Sequence, residues 1–270
     1  MSAMVRTSGL PDVGAVRRPG SAELTGLRAL ITGGSSGIGA ATARAFAAHG
    51  GHVAIAGRDP VALHQVAADI KAVVIPGDLR EPGCARRSVE SAIRGLGGLD
   101  VLVSNAGIGW AGQFSAMSEA DIDSLLDVNL RAAAHLARAA IPHLHQGVGR
   151  LVFVGSIAGL VGAPGEAWYS ATKAGLGSLA QALRDELRPA GVAVSLVSPG
   201  VVDTAFFDRR QVPYRRKHPQ MLSPQVAADA IIDAIAHRRD DVIIPLWLSV
   251  PARLKVSFPK LYGMLAARFG

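Results

Sequence analysis

The sequence predicts an α/β fold: a single domain built on a seven-stranded, mainly parallel sheet, doubly wound with helices on both faces. Three observations predict it. Across residues 27–244 short apolar runs alternate with longer helical stretches, the sign of repeated βαβ units. The first run ends in a glycine-rich loop, GGSSGIG, that opens a helix. The composition, 49% hydrophobic, 18% charged, 31 glycines and 5% aromatics over 270 residues, is that of an alanine- and glycine-rich domain, and one domain is the expectation at this length.

Residues 29–32 form the first strand expected, and the helix AATARAFAAHG after the loop is closed by Gly50 and Gly51. Residues 52–56 are the second strand. Asp59 and Pro60 then read as N-cap and first residue of a helix ending near Ile70, and 72–75 is the third strand, with Asp78 just past its end. A polar helix over about 81–96 leads to the fourth strand, 100–103, which runs into Ser104, Asn105, Ala106 and Gly107. Ser118 with Asp121 resembles a capping arrangement for one long helix reaching His143, with Asn129 near its middle. The fifth strand, 151–154, ends at Ser156; a helix bearing Tyr169 and Lys173 continues to about Arg188; the sixth strand, 192–197, stops at Ser198, Pro199 and Gly200. After a long irregular segment, Ser223 and Pro224 start a helix ending near His237, and 241–244 is the last strand. No internal repeat interrupts this order.

Residues 1–24 read as a disordered leader without the apolar core of a signal peptide, and 246–270 as an apolar and basic extension of the 25–245 domain. No run of about 20 apolar residues occurs. Cys84 is the only cysteine, so there is neither a disulfide framework nor a cysteine cluster for a metal, and a reducing, cytoplasmic setting is expected. The net charge of +7 is concentrated late, in Arg209, Arg210, Arg215, Arg216, Lys217 and His218 and on to Arg268. Without interleaved aromatics or a nucleic-acid-binding motif, this excess does not read as a nucleic-acid surface.

In a parallel sheet, ligands collect at the carboxyl ends of the strands, where the candidate residues fall. The loop of Gly33, Gly34, Ser35, Ser36, Gly37, Ile38 and Gly39 sits between strand and helix, so bare backbone can approach a pyrophosphate at a helix N-terminus. The end of the second strand would carry an acid to bind the 2′-hydroxyl of NAD; here Gly57 and Arg58 stand there. Asp59 is better spent as a cap, so Arg58 suits a 2′-phosphate, and NADP(H) is expected ahead of NAD(H); the plainer alternative is an Arg58 that points to solvent. Asp78 can accept from the adenine amine, and Asn105 and Gly107 can stabilise the sheet edge beside it. Tyr169 and Lys173, four apart, share a helix face if the segment is helical. A lysine cation beside a tyrosine draws its pKa down from about 10 and suits it to proton transfer, although such a spacing also arises by chance.

Together the TGxxxGxG spacing from Thr32 to Gly39, the Asn105-Ala106-Gly107 triplet, Asn129, Ser156, Tyr169 with Lys173, and Pro199-Gly200 with Thr204 resemble the short-chain dehydrogenase/reductase family over about 27–245. The spacing is that of its one-domain members, and not of the longer epimerases, whose TGxxGxxG would place a glycine at Ser36. The resemblance implies a Rossmann fold and hydride transfer between a nicotinamide and a substrate carbon. It implies Tyr169 as general acid or base, Ser156 bonding the substrate oxygen, Lys173 lowering the tyrosine pKa and binding the nicotinamide ribose, and Asn129 holding a water in a proton relay. Pro199, Gly200, Val202 and Thr204 would meet the nicotinamide end; Leu79 and Ala106 complete the implied cofactor shell. A homodimer or homotetramer is expected, and a non-catalytic NADP(H) sensor is the rival reading.

In this family the segments after the fifth and sixth strands build the substrate pocket. Ile157, Ala158, Leu160, Val161, Ala163 and Trp168 in the first, and Val201, Val202, Phe206 and Phe207 in the second, point to a lipophilic alcohol or ketone, unless they are ordinary packing. The extension interleaves Leu246, Trp247, Leu248, Val250 and Tyr262 with Arg253, Lys255 and Lys260, which suits a lid or subunit contact and, behind these, a membrane surface. Pro251 and Pro259 are expected to break it into short helices.

Overall fold

In the computed structural model the described residues are 24–210, 212, 214 and 219–269, with the side chains of 265–269 left aside. The leader, except Leu24, and the basic residues Arg215, Arg216, Lys217 and His218 lie outside them. Seven strands form one sheet in the order β3-β2-β1-β4-β5-β6-β7. They are β1 (Arg28–Thr32), β2 (His52–Gly57), β3 (Val73–Pro76), β4 (Val101–Ser104), β5 (Arg150–Val154), β6 (Ala193–Pro199) and β7 (Asp241–Ile244). All six pairings are parallel, so the expected "mainly parallel" sheet is parallel throughout. The strands are runs of Val, Ile, Leu and Ala because helices cover both faces and leave no solvated side.

On one face α1 (Gly37–Ala48), α2 (Pro60–Ile70) and α9 (Pro224–His237) pack over Ile31, Ile55, Val103 and Val152. On the other, α3 (Cys84–Leu96), α5 (Ala132–Ala140) and α7 (Ala167–Leu187) bury Leu30, Leu102, Leu151 and Phe153. Leu24, assigned to the leader, is 0% exposed and belongs to the first of these cores. The chain reverses direction across the sheet between β1 and β4, and the cleft opens at their carboxyl ends.

The caps follow the expected chemistry. The Asp59 carboxylate accepts from the backbone N–H groups of Val61 and Ala62, both at 3.0 Å, with Pro60 at the first helical position of α2. Ser118 accepts from Asp121 N at 3.1 Å, and Ser223 from Val226 N at 3.4 Å. The long helix expected to reach His143 is interrupted. It is α4 (Glu119–Leu126), then a wide π turn over Asp127–Arg131, then α5 and a 3-10 turn at Ile141–His143. Such a turn carries an extra residue, and Asn129 is in it.

The extension is a 3-10 turn (Leu246–Leu248), α10 (Ser249–Ser257) and α11 (Pro259–Phe269). Pro259 opens α11, but Pro251 does not break α10. It sits in the first turn, where a backbone N–H has no helical partner to lose. No helix among the described residues is long and apolar enough to cross a membrane.

Candidate active site

The glycine loop forms one wall of a cleft of about 520 Å³. Two of its glycines are needed for space. Gly37 has φ +54°, and a Cβ there would meet Thr204 Cγ2 at 2.9 Å; at Gly39 a Cβ would strike the Gly33 carbonyl oxygen and come within 2.6 Å of Asn105 Nδ2. Gly39 therefore packs loop against helix and does not itself line the cleft. Thr32 and Asn105 stitch β1 to β4: Asn105 Nδ2 donates to Thr32 O at 2.8 Å, and Thr32 Oγ1 accepts from Asn105 N and Ala106 N, both at 3.1 Å.

Gly33, Ser35, Ser36, Gly37 and Ile38 line the cleft along its glycine-loop side. Arg58, Asp78 and Leu79 line the end reached from β2 and β3; Asn105, Ala106 and Gly107 line its floor; Pro199, Val202 and Thr204 close it beyond β6. Asp59 is occupied by its capping bonds, which leaves exposed Arg58 as the cation at the β2 end. The Asp78 carboxylate is gripped by Arg80, with Nη2–Oδ2 at 2.5 Å, and this guanidinium holds it below the usual carboxylate range.

Ser156, two residues beyond β5, is the N-cap of α6 (Ile157–Val161), accepting from Ala158 N at 3.2 Å. Tyr169 and Lys173 share a face of α7 and both line the cleft. Their electrostatics differ from the expectation. Lys173 is 6% exposed, and its Nζ donates to Val154 O at 2.9 Å, 6.0 Å from the Tyr169 ring centroid. Burial pushes it down to about 8. Burial likewise pushes Tyr169 up to about 12, against a smaller downward pull from a hydrogen bond with Ser156. Asn129 is buried, and its side chain is spent on the chain entering from β4: Oδ1 accepts from Ile108 N at 2.9 Å, and Nδ2 donates to Ile108 O at 3.0 Å and Thr172 Oγ1 at 3.2 Å.

A second cavity, about 830 Å³, opens from the same centre. Ser156, Tyr169 and Phe206 line both spaces. Ile157, Ala158, Val161, Val201 and Phe207 make this cavity apolar, and Phe206 lies 5.7 Å from the Tyr169 ring, centroid to centroid. Trp247, Leu248, Pro251 and Tyr262 of the extension supply another wall, and Lys255 Nζ donates to Leu160 O at 3.1 Å, fastening α10 beside α6. Three residues expected around these spaces, Leu160, Trp168 and Gly200, line neither. Trp168 donates its indole N–H to Ile122 O at 2.8 Å and lines neither cavity, because neighbours on a helix point about 100° apart and Tyr169 takes the inward direction. Gly200 also misses the cleft; its bare Cα admits Leu248, whose Cδ1 a Cβ would meet at 2.7 Å.

Residues 28–213 match the family model for short chain dehydrogenases. The chain belongs to the short-chain dehydrogenase/reductase family. It is accordingly an NAD(P)-dependent oxidoreductase of the kind that acts on CH–OH groups. It is 36% identical over 230 residues to the ketoacyl reductase HetN of Nostoc sp., covering 82% of this chain and 79% of that protein. Among solved structures it resembles a short chain dehydrogenase from Burkholderia cenocepacia in complex with NADP (35% identity, TM-score 0.75, covering 82% of this chain and 97% of that one). It also resembles a short chain dehydrogenase/reductase from Burkholderia phymatum in complex with NAD (27% identity, TM-score 0.80, covering 88% and 96%).

Sequence reasoning missed several residues that this dehydrogenase places at the site. Arg209, on the four-residue helix α8 (Phe206–Arg209), lines the glycine-loop cleft and donates from Nη2 to Ser36 Oγ at 3.0 Å. Arg210 enters the apolar cavity, its guanidinium 4.6 Å from the Phe207 ring centroid, and is paired with Glu166. The signal was present as two adjacent arginines just beyond Thr204-Ala205-Phe206-Phe207-Asp208, but a basic cluster in an irregular segment does not say which cavity each member faces.

Proposed function

We propose that the chain reduces a lipophilic ketone to its secondary alcohol, or runs the reverse, with NADP(H) as the preferred cofactor and NAD(H) second. The observation that supports this reading is that the glycine-loop cleft and the apolar cavity meet at Ser156 and Tyr169. The exposed Arg58 at the β2 end, with Asp59 diverted to its cap, suits a 2′-phosphate. The bound nicotinamide would supply the hydride. Ser156 would donate to the carbonyl oxygen and hold it against Tyr169, whose phenol, pushed up to about 12, keeps its proton at neutral pH. As the carbonyl carbon is reduced, the oxygen becomes a stronger base than the phenolate, and the proton passes from Tyr169 to it. Lys173, one residue from Thr172 in the Asn129 network, would bind the ribose and stabilise the phenolate left behind. A complete serine, tyrosine and lysine set favours this over the sensor reading.

Exchanging Tyr169 for Phe tests the assignment. Turnover of any ketone found by screening NADPH absorbance is expected to fall to a few per cent or less while NADPH affinity stays near wild type; an active variant would overturn it.

We further infer a cytoplasmic enzyme with copies of itself as partners, a homodimer or homotetramer, to be checked by light scattering. A second reading concerns the extension. Trp247, Val250, Val256, Phe258 and Met264 are exposed on it, Val256 by 82%, and no acidic residue occurs over 246–270. An apolar surface free of negative charge suits contact with an anionic membrane. Sedimentation with anionic vesicles, comparing wild type with Val256→Asp and Phe258→Asp, should show binding that the variants lose; absence of binding removes this reading and leaves the reaction untouched.

A further inference from the structure

Helix α1 begins with an unusual economy. Ser36 occupies its N-cap with extended backbone, φ −162° and ψ 173°, yet its side chain caps no helical N–H. A serine there ordinarily satisfies one of the free N–H groups of the first turn. Instead its oxygen accepts from Arg209. The first turn of α1 thus keeps its backbone donors for the cleft, contains no acidic residue, and has a guanidinium held over it from the opposite wall. Arg209 is fixed there from its own side as well, since its Nε donates to Ala205 O at 3.1 Å. Its neighbour Arg210 is tied the other way, to Glu166 beside the apolar cavity. The carboxylates that line the cleft are both engaged, Asp59 by its cap and Asp78 by Arg80, so neither competes for Arg209.

We propose that Arg209 is a cofactor-binding residue that closes on the dinucleotide diphosphate from the α8 side, opposite the backbone of the glycine loop. The assignment rests on the dinucleotide reading of the cleft and adds a ligand that the loop motif does not contain. A guanidinium offers a charge-assisted, forked contact to phosphate oxygens that Ser36 alone cannot. Arg209 and Arg58 then have separate tasks: Arg209 holds the diphosphate that NADPH and NADH share, and Arg58 reads the 2′-phosphate that only NADPH carries. Because Phe206 of α8 also faces Tyr169 across the substrate cavity, closing Arg209 on the diphosphate sets one wall of that cavity.

The test measures dissociation constants of NADPH, NADH, ADP-ribose and 2′-AMP for the full chain as wild type, Arg209→Ala, Arg209→Lys and Arg58→Ala. Arg209→Ala is expected to weaken NADPH, NADH and ADP-ribose alike, each by about tenfold, equivalent to about 1.4 kcal/mol, and to leave 2′-AMP unchanged. Arg209→Lys should recover part of the loss and keep its salt dependence. Arg58→Ala should weaken NADPH and 2′-AMP and spare NADH and ADP-ribose. Wild-type affinity of Arg209→Ala for ADP-ribose, or a loss confined to ligands with a 2′-phosphate, overturns the assignment. Wild-type protein that binds none of the four would instead overturn the dinucleotide reading beneath it. Arg209 is exposed, so unchanged melting without ligand should accompany all of its variants.

Discussion

Replacing Lys173 by Met removes a buried ammonium whose pKa burial lowers from 10.5 to about 8. Unfolded, the lysine titrates near its ordinary value, so folding at neutral pH carries the cost of hiding a cation. The sign follows from linkage: between about pH 8 and 10.5 the unfolded chain binds the proton that the folded chain has released, and stability from this group rises with pH. At about 1.36 kcal/mol per unit the full recovery is about 3 kcal/mol, of which about 2 kcal/mol returns between about pH 7 and 9.5. Tyr169 is raised, so its contribution is lost only above about pH 10, outside this window. Against this, the variant leaves the Val154 carbonyl without the donor it has at 2.9 Å, a cost of about 1–3 kcal/mol that does not change with pH. Urea unfolding of both proteins at the two pH values isolates the titrating part. Wild type should gain about 2 kcal/mol over Lys173→Met as pH rises from about 7 to 9.5. A difference that stays flat would mean that Lys173 is not desolvated as its surroundings indicate, and the account of the proton relay would have to change with it.

Arg58→Ala should lower NADPH affinity by roughly 10- to 100-fold and leave NADH within about twofold, measured by fluorescence titration; equal losses would mean that Arg58 does not read the phosphate. Gly39→Ala places a methyl group against the Gly33 carbonyl and should cost about 1–3 kcal/mol in urea unfolding, together with cofactor affinity. Trp247→Ala opens the wall that the extension contributes, and should raise KM for long apolar ketones by about tenfold while the cofactor Kd stays put. An unchanged KM would show that the extension does not contact the substrate.

Local chemistry carried most of the fold into the sequence. Strand cores of Val, Ile, Leu and Ala, Asp59 with Pro60, Ser118, Ser223 with Pro224, and Gly50 behind α1 each act through neighbours a few residues away, so their effects are readable along the chain. The same holds for the glycine loop and for Tyr169 with Lys173, whose helical spacing sets them on one face. What the sequence could not show depends on groups distant along the chain. Trp168 turns away because Ile122 waits on α4; Gly200 serves Leu248, not the cleft; the expected long helix widens at Asn129, which is bound to Ile108 and Thr172.

Charge behaved the same way. The sequence by itself set Tyr169 and Lys173 together, because helical period puts them on one face, but it did not bring Arg209 and Arg210 to the site. Only the tertiary structure decided how they titrate and which way they point, because desolvation depends on everything packed around a group. That is why Lys173 moves toward neutrality beside Val154, Tyr169 holds its proton more tightly than a free phenol, and two adjacent arginines after Phe207 part company, one over the glycine loop and one into the apolar cavity.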